Sequence, residues 1–138
     1  MGFIVPKAYL IEVINEVLAD AMTIRLFGNN KTPAPGDSAS GYIEIAGGGY
    51  ANKPIIPANW AVDSTTNDFP QATYSTTQLW TFTGAINAPG TIYGYYITRN
   101  SDGLLLMAER FSPATVPFAP ENGSQARVLP KYSVRSQF

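Results

Sequence analysis

The chain has 138 residues, one domain's length and enough to bury a core without staples. Only 14% of residues are charged, against roughly 25% in an average soluble domain, while 45% are hydrophobic, so global disorder is not expected. With no cysteine and no histidine, disulfide frameworks, Cys- and His-based metal sites, and Ser-His-Asp or Cys-His catalysis are excluded.

The net charge of −1 is divided between a slightly acidic first half and a slightly basic remainder, and neither has the clustered Lys and Arg of a nucleic-acid face. A surface this sparsely charged suits a protein packed against copies of itself or a partner. The opening MGFIVPKAYLIEVINEVLADA lacks a basic n-region. Its apolar run is broken by Glu12, Asn15 and Glu16, so it reads as neither a signal peptide nor a membrane span.

Residues 1–6 read as an apolar arm, with Pro6 able to open a helix at its first turn. Residues 7–138 read as one β-rich domain headed by a helix over about 7–19. Leu10, Ile11, Val13, Ile14, Val17 and Leu18 recur at helical spacing, with Glu12, Asn15 and Glu16 opposite. The texture then changes. MTIRLFG alternates as a strand, and NNKTPAPGDSAS is a loop. SGYIEIA reads as a strand running into GGGY. KPIIPANWAV holds a short extended stretch, and DSTTNDFP is a polar loop. QATYSTTQLWTFTG reads as one long or bulged strand, and NAPG as a turn. TIYGYYIT and LLLMAERF flank Arg99–Gly103, the clearest hairpin signal in the chain. In TIYGYYIT, Tyr93, Tyr95 and Ile97 are expected on one face, with Ile92, Tyr96 and Thr98 on the other. SPATVPFAPENG is a proline-rich loop. SQARVLPKYSV is a final strand in which Pro130 implies an edge or a bulge. Short strands between Gly/Pro turns predict a mainly β fold, an antiparallel sandwich or barrel of jelly-roll type, with one N-terminal amphipathic helix.

The GGGY run invites a phosphate-loop reading, but such a loop needs a helix after it. Here Pro54 and Pro57 follow and no Gly-Lys-Ser/Thr does, so the glycines read as a strand break or tight corner after which Tyr50 packs. Glu44 and Glu109 are the acids within β-like runs and the only candidates for a carboxylate pair. Asp63, Asp68, Asp102 and Glu121 lie in loops but lack the dense Asp/Asn ladder of a calcium loop. Trp60, Trp80, Tyr93, Tyr95 and Tyr96 could stack on sugars, although aromatics serve core and interface at least as often. Arg127, Lys131 and Arg135 read as solubilising charges on an edge strand. No residue is assigned a catalytic, cofactor-binding or metal role.

The order of these features carries a resemblance. A helix precedes TIRLFGNNKTP. Then come GGGY, Trp60-Ala61-Val62, the strand around Trp80-Thr81-Phe82-Thr83-Gly84, TIYGYYIT, MAERF and LPKYSV, so that most of the chain from about Thr23 to Val134 is covered. This pattern resembles the small β-rich virion proteins of tailed bacteriophages, in particular those that decorate or cement capsids. The resemblance implies a non-enzymatic structural protein on the outer capsid surface, made in the bacterial host cytoplasm. It implies partners in the major capsid protein and in copies of itself as a homo-oligomer, without cofactor, nucleic acid or membrane. The neck, tail or baseplate is the alternative location, and a carbohydrate-binding module the alternative class. The expected contact residues are Phe3, Ile4 and Val5 of the arm, Asn29 and Asn30 of the 28–40 loop, Tyr95, and Phe138. The apolar ends GFIV and SQF are expected to be held by a neighbouring subunit.

Overall fold

A computed structural model of the chain describes residues 5–65, 69–113 and 116–133. The first element, α1 (Lys7–Leu18), ends one residue before the expected boundary. Pro6 sits at the N-cap rather than in the first turn, and its carbonyl accepts from the Tyr9 and Leu10 amides at 3.0 and 3.2 Å. Leu10, Ile14 and Leu18, four residues apart and so on one face, are buried, while Glu12, Asn15 and Glu16 are exposed. Ile14 and Leu18 join the main core, so the helix packs on the chain's own strands.

The largest sheet has four antiparallel strands in the order β2 (Lys53–Ile55), β1 (Met22–Phe27), β6 (Gly94–Arg99), β7 (Leu105–Arg110). In β1 the period of two sends Met22, Ile24 and Leu26 into the main core, and Thr23, Arg25 and Phe27 to the opposite face. Strands β6 and β7 form the expected hairpin. Its tip is fixed by Arg99, whose Nε and Nη2 reach the Asp102 carboxylate at 3.0 and 2.6 Å. A register shift at Ile97/Thr98 leaves Leu106 as the extra residue of a bulge on the outer strand.

The second layer contains β3 (Trp60–Asp63), β4 (Gln71–Tyr74) and β9 (Lys131–Ser133) in that order, and the pair β5 (Gln78–Thr81) with β8 (Gln125–Val128). The two expected long strands, 71–84 and 124–134, are thus each split between two sheets. They nevertheless run as one bent antiparallel pair. Tyr74 bonds the Pro130 carbonyl at 2.9 Å and Gln78 pairs with Val128, so Ser75–Thr77 stand opposite Leu129 alone. Pro130 has no amide to continue the ladder, and the mismatch turns the pair through a corner. Inward parity survives the corner, with Ala72, Tyr74, Trp80 and Phe82 all buried. Residues from both layers and α1 meet in one core, giving a sandwich-like arrangement without barrel closure.

Two local expectations are corrected. SGYIEIA is not a strand. Tyr42 and Ile45 are buried while Ile43 is 63% exposed, and only a bridge at Glu44 pairs with Phe27. The Asn29 side chain accepts from the Ile43 amide and donates to the Gly41 carbonyl, both at 2.9 Å, taking the place of ladder bonds. In TIYGYYIT the faces slip by one residue at Gly94. Ile92, Tyr95 and Ile97 face the main core, whereas Tyr93 and Tyr96 pack in a second cluster. A Cβ at Gly94 would strike the Phe27 ring and the Glu109 carbonyl, so the ring occupies the space a side chain would need.

The glycine run behaves as a corner. Gly47, Gly48 and Gly49 take φ of 84°, 60° and 78°, and a Cβ on Gly48 would lie 2.7 Å from the Gly84 carbonyl oxygen. Tyr50 follows outside any strand, but packs as expected, its ring 6.5 Å from that of Trp80.

Candidate contact surface

The outer face of the four-stranded sheet is covered by the chain from Gly28 to Glu44. Its anchor is Tyr42, whose ring stacks on Tyr96 at 5.2 Å and meets Phe27 edge-on at 5.0 Å. The Tyr42 hydroxyl donates to Asp37 Oδ2 at 2.7 Å. Lys31 Nζ lies 2.9 Å from Asp37 Oδ1, and the Ala34 amide donates to Oδ2 at 2.9 Å. Lys31, then Tyr42 and the Ala34 amide, hold the Asp37 carboxyl down to about 2. Burial, followed by the Asp37 hydrogen bond, pushes the Tyr42 hydroxyl up to about 12. From the sheet side, Arg110 Nη1 donates to Asn30 Oδ1 at 2.7 Å and to the Lys31 carbonyl at 3.1 Å, with its guanidinium 4.9 Å from the Tyr93 ring centre.

This lacing turns a loop rich in proline and small residues into a defined surface. Pro33, Ala34 and Pro35 face Leu105–Ala108 of β7 across an open groove of about 340 Å³. A second depression, of about 330 Å³, lies between Ser38–Ser40 and the hairpin tip at Asp102–Leu105, where Leu104 is 50% exposed. Ile43 protrudes beside them in sequence, its amide pinned by Asn29.

Glu44 closes the far end of the segment. Its Oε1 lies 2.7 Å from Arg25 Nη1, and its Oε2 accepts from the Tyr50 hydroxyl at 2.6 Å and from Asn52 at 3.1 Å. The Tyr50 oxygen also accepts from the Leu26 amide at 3.1 Å, so one carboxylate ties the glycine corner to β1. Burial and this carboxylate push the Tyr50 hydroxyl well above its ordinary range. Glu44 and Glu109 are not brought together. Glu44 bridges to β1 on the side away from β6 and joins Arg25 on the outer face, whereas Glu109 pairs with Tyr95, a main-core residue two strands beyond. Among the described residues, no three Asp or Glu side chains gather at metal-ligand spacing. Asp102 is engaged by Arg99, and Asp63 by the Thr65 amide and hydroxyl.

The expected contact residues fare differently. Phe3, Ile4 and Phe138, like Asp68 and Arg135, lie outside the described residues. Val5 is half-buried at the root of α1. Asn29 and Asn30 belong to the covered face, but their side chains brace the loop from within. Tyr95 is a correction. It is buried in the main core, its ring 6.4 Å from Phe111, because its register opposite Leu26 puts it, with Ile97, on the face of the sheet that packs into the core. The candidate sugar-stacking residues also pack internally. Trp80, Tyr95 and Tyr96 are buried, Trp60 meets Tyr74 edge-on at 5.2 Å, and Tyr93 lies under Arg110. Arg127 on β8 and Lys131 on β9 are exposed on edge strands, as expected. Sequence reading missed Asp37 and Tyr42, the two residues that make the loop a surface. The signal was present in Asp37 five residues before an isolated aromatic, but nothing local says that the aromatic reaches Phe27 and Tyr96. The chain matches no family model, no curated protein and no solved structure at a significant level.

Proposed function

We propose that this chain is a non-enzymatic structural protein of a tailed-bacteriophage virion, a capsid decoration protein that binds the outer capsid surface and bridges neighbouring capsomers. The observation that carries the reading is the laced 28–44 segment. Ionic and aromatic contacts hold the segment against the sheet, where Pro33–Pro35 line a groove with β7, while Ile43 near its far end and Leu104 at the neighbouring hairpin tip are exposed. A pre-ordered surface loses little entropy on docking. The low charge of the whole chain and the resemblance of its motifs to phage cement proteins favour the same reading. On a shell the contacts are repeated by symmetry, so modest individual affinities add through simultaneous engagement. The partners are the major capsid protein and further copies of this chain.

The test is co-sedimentation of the purified protein with shells that lack it, followed by thermal scanning of the shells with and without it. Saturable binding at many copies per shell with a raised disruption temperature is the expected result. Absence of binding refutes the capsid assignment and moves the protein to the neck, tail or baseplate. Deleting residues 1–5 tests the arm: occupancy falls while the folded domain persists. Unchanged occupancy removes the arm from the contact.

A further inference from the structure

The chain contains a single Asn-Gly dipeptide, Asn122–Gly123, in the turn that leads into β8. Asn-Gly is the sequence most prone to spontaneous deamidation, because glycine offers no side chain to shield its amide nitrogen. The nitrogen of the following residue loses its proton to solvent and attacks the asparagine Cγ. A carbon–nitrogen bond forms, Nδ2 leaves as ammonia, and a succinimide ring results. Water then opens the ring at either carbonyl, giving aspartate or isoaspartate.

Here the nucleophile is held. The Gly123 amide donates to the Phe82 carbonyl at 2.8 Å, and the Phe82 amide in turn donates to the Ser124 carbonyl at 2.8 Å. Phe82 is 1% exposed, so losing its partner would leave a peptide oxygen unsatisfied in the interior. The turn itself is clamped. The Ser124 amide bonds the Glu121 carbonyl at 3.0 Å, and the Glu121 amide bonds Ser124 Oγ at 2.9 Å. Gly123 has φ of 90° and, among the described residues, no non-glycine residue has positive φ, which makes this a turn of type II with Asn122 at its first corner. The Asn122 side chain is exposed, so solvent access is not the barrier.

We propose that Asn122 is a deamidation site gated by the fold: inert while β5 and β8 are paired, and reactive once that pair opens. The reaction then accumulates in proportion to the time the pair spends open. It places a carboxylate beside Glu121. In the isoaspartate product it also adds a methylene to the backbone inside the turn, so the Glu121–Ser124 bonds and the Phe82 ladder no longer fit together.

The experiment incubates the intact protein at mildly alkaline pH, folded in buffer and unfolded in urea at the same pH and temperature. Digestion and mass spectrometry then follow the peptide carrying residue 122, read as replacement of NH2 by OH. The expected rate is at least about tenfold lower in the folded protein, since reaction must wait for local opening. Equal rates in the two states overturn the proposal. Ser124→Ala supplies a second reading. It removes the acceptor for the Glu121 amide, so the folded-state rate rises while the urea rate stays the same, with the far-UV spectrum checking that the fold persists. A folded-state rate that Ser124→Ala leaves unchanged overturns the turn's part in the gate.

Discussion

Tyr42 is the residue on which the covered face of the sheet depends, and its removal makes a graded test. Tyr42→Ala deletes a ring that contacts Tyr96 at 5.2 Å and Phe27 at 5.0 Å. Each aromatic pair contributes about 0.5–1.5 kcal/mol beyond burial, and truncating a buried aromatic to alanine costs about 3–5 kcal/mol. The loop remains tethered by Asn29 and by Arg110, so the lower end of that range, about 3 kcal/mol, is expected. Tyr42→Phe keeps the ring and deletes only the donor to Asp37, so its loss is clearly smaller. Urea unfolding, followed through Trp60 and Trp80 in the second layer, measures both. Amide exchange at Asp37, whose amide bonds the Ala34 carbonyl at 3.1 Å, reports whether the loop has come loose. A Tyr42→Ala protein within about 0.5 kcal/mol of the parent, or no weaker than Tyr42→Phe, refutes the argument that aromatic packing holds this face. If the capsid reading is right, Tyr42→Ala also lowers shell occupancy under conditions where the sandwich is still folded.

The Asp37 contribution, with the carboxyl held near 2, is fully present above the ordinary carboxylate value of 3.8 and is lost as pH falls from there through about 2. Protection of the loop amides, taken relative to their intrinsic exchange rate at each pH, should therefore fall in acid before that of the core, and a loop whose protection is insensitive to acid would contradict this. Tyr42 acts at the other extreme. Its neutral hydroxyl is favoured in the fold, so its contribution is present below pH 10 and is lost as pH rises through about 12, readable by ultraviolet titration of the phenol. Glu44→Gln replaces the anion shared by Arg25, Tyr50 and Asn52 in a half-screened site, and a fall of about 1–2 kcal/mol in urea stability is expected. Gly48→Ala forces a side chain into φ of 60° and against the Gly84 carbonyl, so a loss exceeding about 1 kcal/mol is expected by the same assay.

Much of this protein was legible locally. The α1 helix followed from apolar residues at helical spacing, the β6–β7 hairpin from Arg99–Gly103 between two strand-like runs, and the glycine corner from prolines that deny it a helix. These features depend on backbone preferences and on which face of one element is apolar, and both are written in neighbouring residues. The tertiary structure decided what the elements meet. Nothing near Gly94 announces that the Phe27 ring fills the place of its missing side chain, or that the faces of TIYGYYIT shift there so that Ile92 joins Tyr95 and Ile97 in the core. Nothing near Tyr42 says that it completes an aromatic trio with strands 15 and 54 residues away. The corner at Ser75–Thr77 exists because Pro130, far along the chain, interrupts the partner strand. Each is a contact between distant segments whose energy arises only when both are in place, and so the laced outer face of the sheet belongs to the fold and not to any one stretch of its sequence.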